Sequence, residues 1–111
     1  MRRRPIDPGR LRVFARLEAA TRLPDGHGGF VEDWALVATV PISLEPLGAT
    51  STFSADQRRE RATHRAVFRT RPDVTSGMRF TVGDRPMTII TIHEQDASGR
   101  YLVAVLEETG L

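Results

Sequence analysis

Hydrophobic and polar residues alternate with a period of two along most of this chain, the pattern of a strand with one buried face. The first run spans residues 11–17, and a second keeps six apolar residues in one phase over residues 34–44. Pro41 lies inside the second run and predicts a bend, a bulge or a sheet edge, because proline cannot donate a ladder hydrogen bond. Four further strands are predicted at residues 64–71, 78–82, 86–92 and 101–106.

The segments between these strands contain turn residues. Gly83-Asp84 predicts a hairpin between strands four and five. The glycine-rich residues 23–29 predict a flexible connection in which glycines adopt positive φ. Residues 45–62 form a long excursion, where the capping-box pattern Ser54-Ala55-Asp56-Gln57 predicts a short helix over residues 54–62.

These features together predict an all-β fold: a small six-strand barrel or sandwich with one long loop carrying a short helix. The chain of 111 residues is long enough for one domain, which we place at residues 1–111 with a flexible lead at 1–8. Trp34, Phe68 and Phe80 alternate in phase with aliphatic neighbours and are predicted to be core residues. Phe14 lies on the arginine side of strand one and is predicted to be exposed.

Composition narrows the class of protein. No apolar run approaches the roughly 20 residues that span a bilayer, so no membrane association is expected. Arginines interrupt every candidate signal-peptide window, so we expect a cytoplasmic product. The absence of cysteine excludes a disulfide framework, a thiol nucleophile and a zinc–thiolate site.

Charge is segregated along the chain. All 16 basic residues are arginine. Residues 1–22 carry seven arginines and two acids, residues 23–57 carry five acids and no arginine, and residues 58–71 carry six arginines and one acid. Such complementary blocks can pair within one fold or between neighbouring copies. Six candidate contact residues lie in the basic block: Arg58, Arg59, Arg61, Arg65, Arg69 and Arg71.

Few features of the sequence indicate a catalytic site or a cofactor-binding site. The glycines of residues 25–29 have no lysine behind them, as a phosphate-binding P-loop requires. The three histidines, His27, His64 and His93, are too scattered to predict a metal site by spacing. We therefore expect no cofactor, no metal and no enzymatic activity. The arginines fit sequence-independent contact with phosphates, which leaves a small OB-like nucleic-acid-binding module as an alternative.

The order of the motifs resembles a known family. Gly9-Arg10-Leu11-Arg12 precedes the first strand, a Pro-Asp-Gly-His-Gly-Gly loop and Trp34 follow, and the most similar stretch runs from Thr63 to Phe80. Over residues 9–108 the chain resembles the head–tail joining proteins of tailed phages and gene transfer agents, also called head closure or stopper proteins.

The resemblance implies a small β-barrel with a structural role at the neck of a virion or phage-like particle, after assembly in the host cytoplasm. Such proteins form a ring, usually of six or twelve copies, below the portal and adaptor. The ring closes the DNA channel and receives the tail terminator or tail ring, and it can touch DNA in the channel without sequence preference. Adaptor and tail-terminator roles remain alternatives within the same neck.

Overall fold

The structure is a computed structural model that describes residues 13–47 and 62–108. Six strands account for most of these residues. They are β1 (Val13–Pro24), β2 (Phe30–Pro46), β3 (His64–Arg69), β4 (Arg79–Val82), β5 (Arg85–Glu94) and β6 (Tyr101–Glu108). Each strand contains or overlaps one of the predicted runs, so the all-β prediction is confirmed.

The strands form one antiparallel sheet that closes on itself in the order β1-β2-β3-β6-β5-β4. Closure is completed by pairing of Arg16, Leu17 and Glu18 in β1 with Thr81, Phe80 and Arg79 in β4. The fold is therefore a barrel rather than a sandwich. The β4–β5 hairpin turns through Gly83, whose φ of 64° suits a two-residue turn, as predicted.

The antiparallel strand directions sort the described chain into two ends. Val13, Pro46, His64 and Glu108 lie at one end, which we call the termini end. The β1–β2 turn, the end of β3 and the β5–β6 loop lie at the opposite end. The predicted lead 1–8 and helix 54–62 fall outside the described residues, except for Ala62.

The long excursion is anchored at the termini end. β2 continues through Pro46, so the excursion begins slightly later than the predicted residue 45. The amide of Leu47 donates to the Thr63 carbonyl at 2.9 Å, and the Thr63 amide donates to the Leu106 carbonyl at 2.8 Å. These bonds hold Leu47 and Thr63, which flank the excursion in the sequence, beside each other and beside β6 at the termini end.

The inward side chains of all six strands fill the barrel. Phe68 and Phe80 are both fully buried and meet edge to face, with ring centroids 5.2 Å apart. This arrangement suits the ring quadrupoles. The surrounding core includes Leu17, Ile42, Met87, Ile89 and Leu106, each at most 1% exposed. The core prediction is confirmed for both phenylalanines.

Trp34 is the exception, and the prediction of a core tryptophan was wrong. In the β1–β2 ladder Leu17 faces Ala38, but the next residue, Glu18, faces Leu36. Val37 is therefore an extra residue in β2, and this bulge reverses which face the preceding residues occupy. Leu36 and Trp34 consequently lie on the outer face with Glu18. Pro41 pairs with Phe14 without a bulge, at a point where β3 does not yet pair with β2.

Beyond the bulge, the β1–β2 hairpin extends past the closed barrel. β4 pairs with β1 only as far as Glu18, and β3 pairs with β2 only from Ser43 onward. Residues 19–36 therefore form a two-stranded projection, which we call the β1–β2 ribbon. Its loop is built as predicted on positive-φ glycines, Gly26 and Gly28. No helix within residues 13–47 and 62–108 is long and apolar enough to cross a membrane.

Candidate assembly surface

The arginines on and after β3 have different surroundings. Arg65 lies directly across from Glu45 of β2 and forms an ion pair with it. Arg71 lies beyond the end of β3, where its guanidinium donates to both carboxylate oxygens of Asp73 at 2.6 and 2.9 Å. Arg69 is exposed and forms no ion pair with another described residue. Arg58, Arg59 and Arg61 lie outside the described residues.

The Arg65–Glu45 pair shows that the acidic and basic blocks meet partly within one chain, since Glu45 belongs to the acidic block and Arg65 to the basic block. The hydrogen bonds from Arg71 lower the pKa of Asp73 from its ordinary value. Two of the three described candidate arginines are thus held by a neighbour. Arg69 keeps its charge available to a partner.

The fold places Arg100 beside Arg69. Arg69 pairs with Tyr101 in the β3–β6 ladder, and the Thr70 amide donates to the Arg100 carbonyl at 3.0 Å. The two arginines are therefore neighbours along the backbone at the rim of the barrel, although the ladder puts Tyr101 rather than Arg100 on the same face as Arg69. We call these two exposed rim residues the Arg69/Arg100 patch. Sequence reasoning missed Arg100, because its nearness to Arg69 follows only from the pairing of β3 with β6.

The exposed large apolar side chains of the described chain are all on β1 and β2. They are Phe14, Leu23, Phe30, Val31, Leu36 and Val37. Phe14 is 69% exposed, which confirms its predicted exposure. Scattered apolar residues are normal on a protein surface, but four of these six side chains, Leu23, Phe30, Val31 and Leu36, lie on the β1–β2 ribbon, and such a concentration indicates an interaction surface.

A polar cluster holds the base of the ribbon against β4. Glu18 is only 13% exposed and accepts hydrogen bonds from Arg79 and Thr81, each at 2.7 Å. The guanidinium carbon of Arg79 lies 4.1 Å from the ring centroid of Trp34, a cation–π contact. Arg16 approaches the second carboxylate oxygen of Glu18 at 3.6 Å. The cluster therefore links β1, β2 and β4 at the point where the ribbon leaves the barrel.

Ionisation of Glu18 is favoured by this cluster. Burial acts to raise the pKa of Glu18, but hydrogen bonds from Thr81 and Arg79 and the charges of Arg79 and Arg16 outweigh it and lower the pKa. A hydrogen bond from Arg85 likewise lowers the pKa of the buried Glu108 at the termini end. Carboxylates of this kind stabilise the fold above their unfolded-state pKa, roughly 4.3 for glutamate. That stabilisation is lost as the pH falls through the lower folded-state pKa.

We expect Glu18→Gln to lower the free energy of unfolding by about 1–2 kcal/mol at neutral pH, because charged hydrogen bonds are replaced by neutral ones. The deficit should shrink as the pH falls below about 4.3, the unfolded-state pKa of glutamate, and disappear once the folded wild-type carboxylate is also protonated. Urea unfolding of both proteins at neutral and acidic pH measures this. Glu32→Gln, on the exposed ribbon, should match wild type within about 0.5 kcal/mol. A Glu18→Gln deficit that is equal at both pH values would contradict the assignment.

The polar side chains of Asp25 and His64 form hydrogen bonds within the described fold. One carboxylate oxygen of Asp25 accepts the amides of His27 at 2.7 Å and Gly29 at 3.0 Å, so Asp25 closes the ribbon loop. The His64 ring contacts the Thr63 hydroxyl at 2.9 Å. Within the described residues, no group of three or more histidine or acidic side chains could hold a metal ion.

Comparison with known proteins identifies the class to which this barrel belongs. The sequence profile of the phage head completion proteins matches residues 6–109, nearly the whole chain. The chain belongs to this family. It is thus a structural protein that assembles with other proteins of a phage or phage-like particle.

Two solved structures are similar over most of their length. One is a chain in the virion of a native gene transfer agent particle, 27% identical, with a TM-score of 0.64 over 86% of this chain and 93% of that chain. The other is the solution structure of a protein from Shigella flexneri 2a, 23% identical, with a TM-score of 0.72 over 95% and 98% of the two chains. The second likeness concerns the fold alone. A comparison with curated proteins found no match.

Proposed function

We propose that the protein is the stopper, or head closure, ring of a tailed phage or gene transfer agent particle. In this role it forms a ring of six or twelve copies below the portal and adaptor, seals the DNA channel after packaging, and receives the tail. The observation that carries the proposal is the family match over residues 6–109, together with the gene transfer agent chain of similar fold.

The described surface supports a ring-forming role. A closed ring requires each subunit to present two different, complementary surfaces to its two neighbours. The chain supplies an apolar, acidic projection and separate exposed arginines. Arg58, Arg59 and Arg61 add positive charge in the excursion between β2 and β3. We infer that the acidic block of one subunit faces the basic block of the next.

The excursion is proposed to reach into the channel or an adjoining ring. The flanking residues Leu47 and Thr63 are hydrogen-bonded to each other at the termini end, and the arginines between them in the sequence suit the phosphate charge of a duplex. Replacing residues 48–61 by a short glycine–serine link between Leu47 and Ala62 should leave the barrel folded but yield particles that leak DNA or lack tails. Particle counts by electron microscopy, with nuclease protection of packaged DNA, measure this. Tailed particles with fully protected DNA would count against the role.

Cryo-electron microscopy of nuclease-resistant particles, with mass spectrometry of the same fraction, tests the function directly. A density ring between portal and tail that fits this barrel would establish the stopper role, and its symmetry would give the copy number. A ring fitted against the portal, or against the tail tube, would assign the adaptor or tail-terminator role instead. Absence of the chain from particles would overturn the structural role at the neck.

A second candidate function is non-specific nucleic-acid binding by the free protein. Such proteins combine aromatic stacking with basic grooves, and this chain offers both kinds of residue separately: the exposed Phe14 at the termini end, and the exposed Arg69 and Arg100 at the opposite end. Fluorescence anisotropy with labelled single-stranded and duplex DNA separates the two functions. Tight binding by the free chain that weakens steeply with salt would favour the nucleic-acid module. We expect the free chain to leave the DNA unbound at physiological salt.

A further inference from the structure

Within the described residues, no third strand pairs with the β1–β2 ribbon. Residues 19–24 pair with residues 30–35 across the hairpin, Leu36 pairs with Glu18 at its base, and none of them pairs with β3 or β4. Both faces nevertheless carry large exposed apolar side chains: Phe30 and Leu36 on one face, Leu23 and Val31 on the other. An isolated two-stranded hairpin is at best marginally stable in water, so this projection needs support from elsewhere.

Support at the base of the ribbon comes from the Glu18 cluster. Arg79 bonds Glu18 and stacks on Trp34, which ties both ribbon strands to β4. Near the tip, Arg22 lies over the Phe30 ring at 5.8 Å. The ribbon is thereby held in a defined direction before it meets a partner, which lowers the entropic cost of docking.

The charge on the ribbon points to a basic partner. Residues 19–36 carry three acids, Asp25, Glu32 and Asp33, against Arg22 alone. Glu32 and Asp33 are exposed and form no ion pair with any residue in the described ranges. A net negative surface repels DNA phosphates, so nucleic acid does not suit this face.

The same chain offers a matching surface in the Arg69/Arg100 patch. Both arginines are exposed and unpaired within residues 13–47 and 62–108, and they lie at the same end of the barrel as the ribbon. Ribbon and patch are different surfaces of one subunit, so each subunit can use both at once. We propose that the β1–β2 ribbon of one copy docks on the Arg69/Arg100 patch of a second copy. This rests on the proposed ring and names the contact that closes it.

Cysteine trapping tests the contact, because the natural chain contains no cysteine. Particles are assembled with a chain carrying Asp33→Cys and Arg100→Cys in place of wild type, then treated with a short bismaleimide. Asp33→Cys with Asp84→Cys is the matched control, since Asp84 lies in the β4–β5 turn at the termini end. We expect a ladder of covalent oligomers up to the full ring from the first chain, and no ladder from the control.

Exchanging the charges of Asp33 and Arg100 tests the same contact independently. Asp33→Arg should reduce the amount of chain in particles about tenfold, as should Arg100→Asp, and the combined exchange should restore it. Thermal unfolding of each variant verifies that the barrel is intact. If the chain is abundant in particles but neither cross-linking nor rescue occurs, the ribbon contact is wrong while the proposed function stands. If wild-type chain is absent from particles, both are overturned.

Discussion

Replacing Phe68 by alanine should lower the free energy of unfolding by about 3–5 kcal/mol, the range for deleting a fully buried phenylalanine. The side chain is 0% exposed and packs edge to face on Phe80 in the centre of the barrel. Neighbouring side chains come from strands fixed by their ladders, so the cavity cannot collapse completely. Because small domains have only about 5–15 kcal/mol of stability, this loss is a large share of the total. Urea denaturation followed by circular dichroism measures it.

Phe14→Ala is the matched control for this substitution. It removes the same side chain from a position that is 69% exposed, so we expect a change within about 0.5 kcal/mol. Equal losses for Phe14→Ala and Phe68→Ala would mean that the barrel interior is not the main source of stability. A loss below about 1 kcal/mol for Phe68→Ala would contradict its central position in the core.

Reversing Arg58, Arg59 and Arg61 together to glutamate should abolish incorporation of the chain into particles. The triple change converts a strongly basic excursion into an acidic one, so it would repel both the acidic block of a neighbouring subunit and DNA phosphates. The barrel should remain folded, because none of these residues belongs to the described core. Quantitative mass spectrometry of purified particles, normalised to a capsid protein, measures incorporation.

The control carries the same charge change at another place. Arg2, Arg3 and Arg4 precede residue 6, where the family match begins, so reversing all three to glutamate alters net charge equally. We expect this variant to be incorporated at wild-type levels. Normal incorporation of the Arg58, Arg59 and Arg61 variant would refute the role of the excursion charge. An equal loss of incorporation in both variants would mean that net charge alone, rather than its position, explains the effect.

Local sequence patterns predicted the strands well because, within the barrel, each strand keeps one face in the core. Alternation over residues 64–69 and 101–106, for example, reflects a buried face of Ala66, Phe68 and Ala104. The turns were also predictable from the local sequence, since Gly83 and the loop glycines adopt positive φ values that other residues avoid. Which of the candidate arginines form ion pairs within the chain was less predictable from the sequence. Charge alone did not distinguish Arg65 and Arg71, which have partners in the same chain, from Arg69.

The sequence by itself determined six strands, their turns, the burial of Phe68 and Phe80, and a motif order that resembles head–tail joining proteins. Only the tertiary structure decided that the sheet closes, that a bulge at Val37 turns Trp34 outward, and that the backbones of Arg69 and Arg100 lie at the same place on the rim of the barrel. Alternation along one strand reports which face is buried, whereas a bulge and a cross-strand neighbour depend on the register with another strand far away in the sequence. That register is set when the strands pair around a shared core.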